Sequence, residues 1–139
     1  MPANQIAAFV LYLIVLLALL YYAVIYLCQK RFTSYHEAAV GQTWESLPPR
    51  LQALLTGMQR NMGAGMLAVS VSGFFLLAFP FRHGERWASW ALLSLLSSIG
   101  IPTLYATMYI NRRTGANTPI LPAAISLGST ATAFVLSLF

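Results

Sequence analysis

A chain of 139 residues with 58% hydrophobic and 8% charged side chains, at a mean hydropathy of +0.69, lies outside the range of soluble globular domains. Its net charge of +5 comes from basic residues that flank apolar runs and form no aromatic-interleaved groove, which argues against a nucleic-acid partner. One cysteine excludes an intrachain disulfide or a multi-thiolate metal site, and the three acidic residues, all in loops, offer no paired-carboxylate chemistry.

Four apolar segments, at about residues 6–27, 61–79, 87–110 and 120–139, each reach the roughly 20 residues a membrane-spanning helix needs. They predict one transmembrane domain over residues 1–139. The expected architecture is all-α: an integral membrane up-down four-helix bundle with an amphipathic cytoplasmic lead-in to the second helix. The first segment is read as a retained helix, since no basic residue precedes it and no small-x-small site lies before Cys28. Its Leu, Ile, Val and Ala run with almost no hydroxyls predicts a plain, lipid-facing helix. Cys28 at its end reads as a small buried hydrophobe.

Residues 29–60 have room for a short surface helix but not for a core of their own. Ser46-Leu47-Pro48-Pro49 marks a helix start, because proline is tolerated in a first turn. From there Leu51, Leu54, Leu55, Met58 and Met62 follow helical spacing in one stripe, with Arg50, Gln52, Thr56, Gln59 and Arg60 on the other face. This stripe predicts a packed lead-in, with Gly57 as a bend. Farther along, Ala64, Ala68 and Ser72 recur every four residues, as do Ala124, Gly128 and Thr132 in the fourth segment. Small residues at this spacing let helices approach closely in lipid, so the second and fourth spans are expected to make the tightest contacts, within or between subunits.

Residues 80–86 form a tight outer turn in which Glu85 is placed to neutralise an arginine. The third span opens with Trp87 and Trp90, an interfacial pair, and carries Gly100 and Pro102 near its centre. Proline there predicts a kink that frees the Ser98 carbonyl. Ser70, Ser94, Ser97, Ser98, Thr103 and Ser129 fall at a similar mid-membrane depth and form a candidate midplane polar cluster. Tyr21, Tyr22, Tyr26, Tyr105 and Tyr109 form an aromatic belt at the inner interface. Pro119 suits the start of the last helix.

Lys30, Arg31, Arg50, Arg60, Arg112 and Arg113 lie in or beside the first and third loops, against Arg82 and Arg86 in the second. Retention of basic residues inside places the first and third loops in the cytoplasm and both termini outside; the expected location is a prokaryotic inner membrane. Those six residues with Asn61 are a candidate rim for an anionic ligand or lipid headgroup, since guanidinium groups bind phosphate bidentately. His36 and His83 fall on opposite faces and cannot share a metal. With no ionisable residue inside a span, proton-coupled transport is disfavoured. No catalytic residue, metal or cofactor is assigned.

Residues 80–88, PFRHGERWA, resemble a turn seen in several uncharacterised small prokaryotic four-span proteins, a likeness that implies no activity. The overall plan of size, span count and basic inner loops is similar to the MAPEG family of membrane glutathione-dependent enzymes. That resemblance implies trimers holding glutathione in intersubunit clefts near the cytoplasmic face. The family's signature joins arginine, asparagine and glutamate at the start of the second helix. Here the region reads Arg50, Arg60 and Asn61 with no glutamate following, so no catalytic residue is carried over. The expected function is a non-enzymatic, oligomeric interaction or lipid-associated subunit, with membrane lipids as partners. A glutathione-dependent transferase and a small channel or transporter are the alternatives.

Overall fold

A computed structural model describes residues 1–139 as five helices and no strand: α1 (Ala3–Cys28), α2 (Ser34–Val40), α3 (Pro49–Leu76), α4 (Arg86–Thr114) and α5 (Ile120–Ser137). All but α2 are long and apolar enough to cross a membrane. The four long helices form an up-down bundle. Around it α1 packs on α3, α3 on α4, α4 on α5, and α5 back on α1. One end carries the first and third loops with most of the basic residues, and is called the basic end below. The other carries the α3–α4 hairpin.

The start of α3 is built as the sequence requires. Pro48 caps it from an extended backbone and Pro49 opens its first turn. The Gln52 side-chain amide then donates to the carbonyls of Trp44 (2.8 Å) and Leu47 (3.1 Å), pinning the preceding loop onto the helix. The helix runs unbroken through Gly57. Together with a wider, π-type turn at Leu77–Phe81, which accommodates Pro80, it spans 33 residues. At about 1.5 Å per residue this far exceeds a hydrocarbon core of roughly 30 Å.

Four expectations need correction. First, α1 is not a plain lipid-facing helix: it packs against both α3 and α5, and Ala8, Tyr12, Leu16 and Ala23 are completely buried. The cause is the pair Gly63 and Gly73 on α3. At Gly63 an added Cβ would lie 3.0 Å from the Leu27 backbone nitrogen and from Tyr26 Cβ, and at Gly73 it would overlap the Leu16 side chain. Backbone approach of this kind replaces the hydrophobic drive that lipid removes.

Second, the inward line of α3 is Gln59, Gly63, Met66, Ser70 and Gly73, so Leu51, Leu54 and Met58 of the stripe face outward, 38–62% exposed, while Met62 borders the inter-helix space described below. An apolar side chain gains little by leaving lipid for another helix, so glycine placement sets the packed face. Third, of the two alternatives for the small-residue stripes, contact within this chain does not form: α3 and α5 are not packed neighbours, and Ala64, Ala68, Ser72, Ala124, Gly128 and Thr132 are all exposed. Those two stripes make no tight contact within this chain. Cys28 is likewise exposed, not a buried hydrophobe.

The hairpin half is solid. Tyr12 and Leu16 from α1 meet Leu77 and Phe81 after α3, Leu92 of α4 and Ala133 of α5 in one cluster. The Tyr12 and Phe81 rings meet edge to face at 5.6 Å, an arrangement the ring quadrupoles favour. Asn4 ties α1 to α5 by donating to the Leu136 carbonyl at 3.2 Å.

Candidate functional site

The basic half is hollow. Small residues on three helices, including Ala18 of α1, Gly100 of α4, and Ala123 and Ser126 of α5, leave a cavity of about 190 Å³ between the helices. Met62 and Met66 close its α3 side. The α4 wall stands close to α5, since a Cβ on Gly100 would lie 3.3 Å from Leu127. Two of the threonine hydroxyls in the wall are already engaged. Thr107 Oγ1 donates to the carbonyls of Thr103 and Leu104, at 3.1 and 2.9 Å, and Thr130 Oγ1 to that of Ser126 at 2.9 Å. No charged residue lines the space.

The roof is α2, which packs on α4 and presents Tyr35 and His36 to the cavity. It is held by an aromatic cluster. The hydroxyls of Tyr26 and Tyr35 share a 2.8 Å hydrogen bond, and the His36 ring lies 3.9 Å from that of Tyr35. Thr33 precedes the helix, and its hydroxyl bonds His36 Nδ1 at 2.7 Å. Phe32 packs edge-on against Trp44 at 4.9 Å, while Glu37 accepts from the Trp44 backbone at 3.1 Å. Gly41 ends the helix with φ +72°, a conformation that other residues adopt only with strain. Burial holds His36 below its ordinary pKa, because desolvation disfavours the imidazolium. The Tyr35 phenol is pushed well above the usual tyrosine range, first by burial and then by its bond to Tyr26.

Beside the roof a second, more polar depression opens between the end of α1, α2 and the start of α5. Tyr22, Tyr26, Tyr35, Pro119 and Pro122 border both it and the cavity, so the two adjoin. The α4–α5 connection forms one lip of it. Thr118 donates to the Thr107 carbonyl at 2.8 Å and Asn111 to that of Ala116 at 2.8 Å, fixing the turn after Gly115.

The candidate rim residues Lys30, Arg31, Arg50, Arg60, Asn61, Arg112 and Arg113 are all exposed and line neither space. Arg31 pairs with Glu45 at 3.6 Å, and the Arg113 guanidinium lies 5.6 Å from the centre of the Tyr109 ring. Glu85 pairs with neither of its neighbouring arginines; the Arg31–Glu45 contact is the chain's single ion pair. Beside Arg60, the inward residue is Gln59, whose amide donates to Gln29 Oε1 at 3.0 Å while its own Oε1 has no partner.

The midplane hydroxyls do not converge. Of the six, only Thr103 lines the cavity. Ser70 donates to the Met66 carbonyl at 2.8 Å, and Ser98 to that of Leu95 at 2.7 Å; Ser94 is exposed, and Ser97 and Ser129 are half-buried. The helix α4 continues through Pro102. Of the tyrosine belt, Tyr21, Tyr105 and Tyr109 are well exposed, but Tyr26 turns in to the roof. The cavity and its roof were missed in the sequence. The signal available was the loss of side-chain volume at Ala18, Gly100, Ala123 and Ser126.

Comparison with protein-family models, with curated proteins and with solved structures found no match.

Proposed function

We propose that this is a non-enzymatic integral membrane protein that associates with lipid, holding an apolar chain in the cavity of its basic half. The observation that carries this reading is an uncharged, partly open space of about 190 Å³ between the helices, roofed by α2, in a bundle whose other half is filled. A dry cavity of about 150 Å³ lined by apolar side chains already takes up benzene, so this one has room for a short hydrocarbon segment. In this reading the basic end lies in the cytoplasm, by the excess of Lys and Arg there. Its exposed basic residues then meet anionic headgroups, each contributing roughly 1 kcal/mol near such a surface.

The test is thermal unfolding of the purified protein titrated with a ten-carbon alkane. A ligand at a hundredfold excess over its Kd stabilises by about 2.7 kcal/mol. Ser126→Phe, which fills the cavity from α5, removes the shift. An absent shift in the wild type, or an equal one in the variant, refutes the reading.

A further inference from the structure

We infer that the cavity and the adjoining depression together receive a single-chain amphiphile with an uncharged, hydrogen-bonding head, the chain lying between the helices and the head beneath α2. This rests on the reading of the cavity as a lipid-chain site and adds the class of ligand.

Three observations carry it. The cavity and the depression adjoin, with Tyr22, Tyr26 and Tyr35 bordering both, and they differ in character: the inner space is mostly apolar, the outer one mixed. The polar side chains special to the outer part are Gln29, Thr33, Ser34, Asn117 and Thr118. These are amides and hydroxyls, which donate and accept, and none carries charge. Finally, the arginines and the lysine of the basic end all stand outside both spaces, exposed to solvent or headgroups.

A carboxylate or phosphate in this open mouth gives up part of its water with no cation in the lining to replace it, which disfavours the charged head. A hydroxyl, ester or amide head exchanges its water for the uncommitted groups there, the Gln29 amide nitrogen and the side chains of Ser34 and Asn117, at little cost. A volume of about 190 Å³ favours one chain. A two-chain lipid would leave its second chain against the outer surface of α1 or α5, where Ile14, Leu17 and Leu121 are already exposed to the membrane.

The experiment uses photoactivatable ten-carbon probes carrying a diazirine at the chain end, with an alcohol, a carboxylate or a phosphate monoester as head. The full-length protein in nanodiscs of zwitterionic lipid is irradiated with each at pH 8, and the labelled residues are located by mass spectrometry. The alcohol is expected to label cavity residues such as Thr103, Ala123 and Ser126 at least tenfold more than the phosphate, and more than the carboxylate. Ser126→Phe and, independently, Ala18→Phe from the opposite wall abolish that labelling, so one misfolded variant does not decide the result. Equal or stronger cavity labelling by the phosphate or carboxylate, lost in both variants, overturns the uncharged-head inference while leaving the cavity reading standing. Labelling by all three probes confined to outward residues such as Phe75 and Ile125, unchanged in both variants, overturns both.

Discussion

Replacing Gly63 with alanine puts a methyl group into the closest approach of α1 and α3. The new Cβ would sit 3.0 Å from the Leu27 backbone nitrogen, from Leu27 Cγ and from Tyr26 Cβ. Two of those atoms are fixed to the α1 backbone, so relief requires the helix to move rather than a side chain to rotate. Overpacking of this kind costs roughly 1–3 kcal/mol, whereas the higher helix propensity of alanine returns roughly 1 kcal/mol. The net expectation is a loss of about 1 kcal/mol. Gly65, two residues along the same helix, is the control: a Cβ there meets nothing within 4 Å. Gly65→Ala should be neutral or up to about 1 kcal/mol more stable. The two variants should therefore differ by about 2 kcal/mol, a factor of about 30 in the folding equilibrium. Reversible unfolding in mixed micelles with increasing anionic detergent measures both. Equal stability of the two alanine variants would refute the account of how α1 is seated.

The same interface predicts coupling at Gly73 and Leu16: each alanine variant alone should destabilise, and the double variant should lose less than the sum, by about 1 kcal/mol or more in a double-mutant cycle. Gln29→Leu strands the buried Gln59 amide and should destabilise by about 1–3 kcal/mol, whereas Gln59→Leu removes an atom that has no partner and should be close to neutral. Denaturation midpoints of the two leucine variants falling in the reverse order would contradict this. For the roof, the sign follows from His36, whose neighbours are the Tyr26, Phe32 and Tyr35 rings and the Thr33 hydroxyl. Its pKa is lowered in the closed state, so the opened state binds the proton more readily. The contribution to closure is therefore complete above pH about 6.5 and declines as the pH falls below it. Amide exchange over residues 34–40, corrected for intrinsic rates, should accelerate at pH 5 relative to pH 7.5 and lose that dependence in His36→Phe; slower exchange in acid would contradict the assignment.

The spans were legible because crossing hydrocarbon imposes a length and an apolar composition that the chain cannot disguise. So was the start of α3, where two prolines meet a helical run. The packing was less legible. Hydropathy separates interior from exterior in water, but in lipid a leucine facing another helix and one facing an acyl chain are nearly equivalent. The first helix therefore looked lipid-facing although Leu16 is buried, and Leu51, Leu54 and Met58 looked packed although they face out. Four-residue spacing of small side chains was also a poor guide: Ala64 and Ala68 are exposed, whereas Gly63 and Gly73, off that spacing, make the close approach. The rim of arginines was visible, but not that its members point away from the space between the helices. The cavity itself is an absence of volume shared by distant positions, and α2 is too short for a periodic signal to announce it.

The most direct test of the central claim is a crystal structure of the protein grown from a lipidic mesophase of monoacylglycerol, itself a single-chain amphiphile with an uncharged head. The account predicts chain density between Val15, Leu96, Thr103 and Ser126, with the glycerol head near Tyr26, Tyr35 and Gln29 under α2. A basic half closed by collapsed side chains, or an open space with no chain in it, would contradict the account.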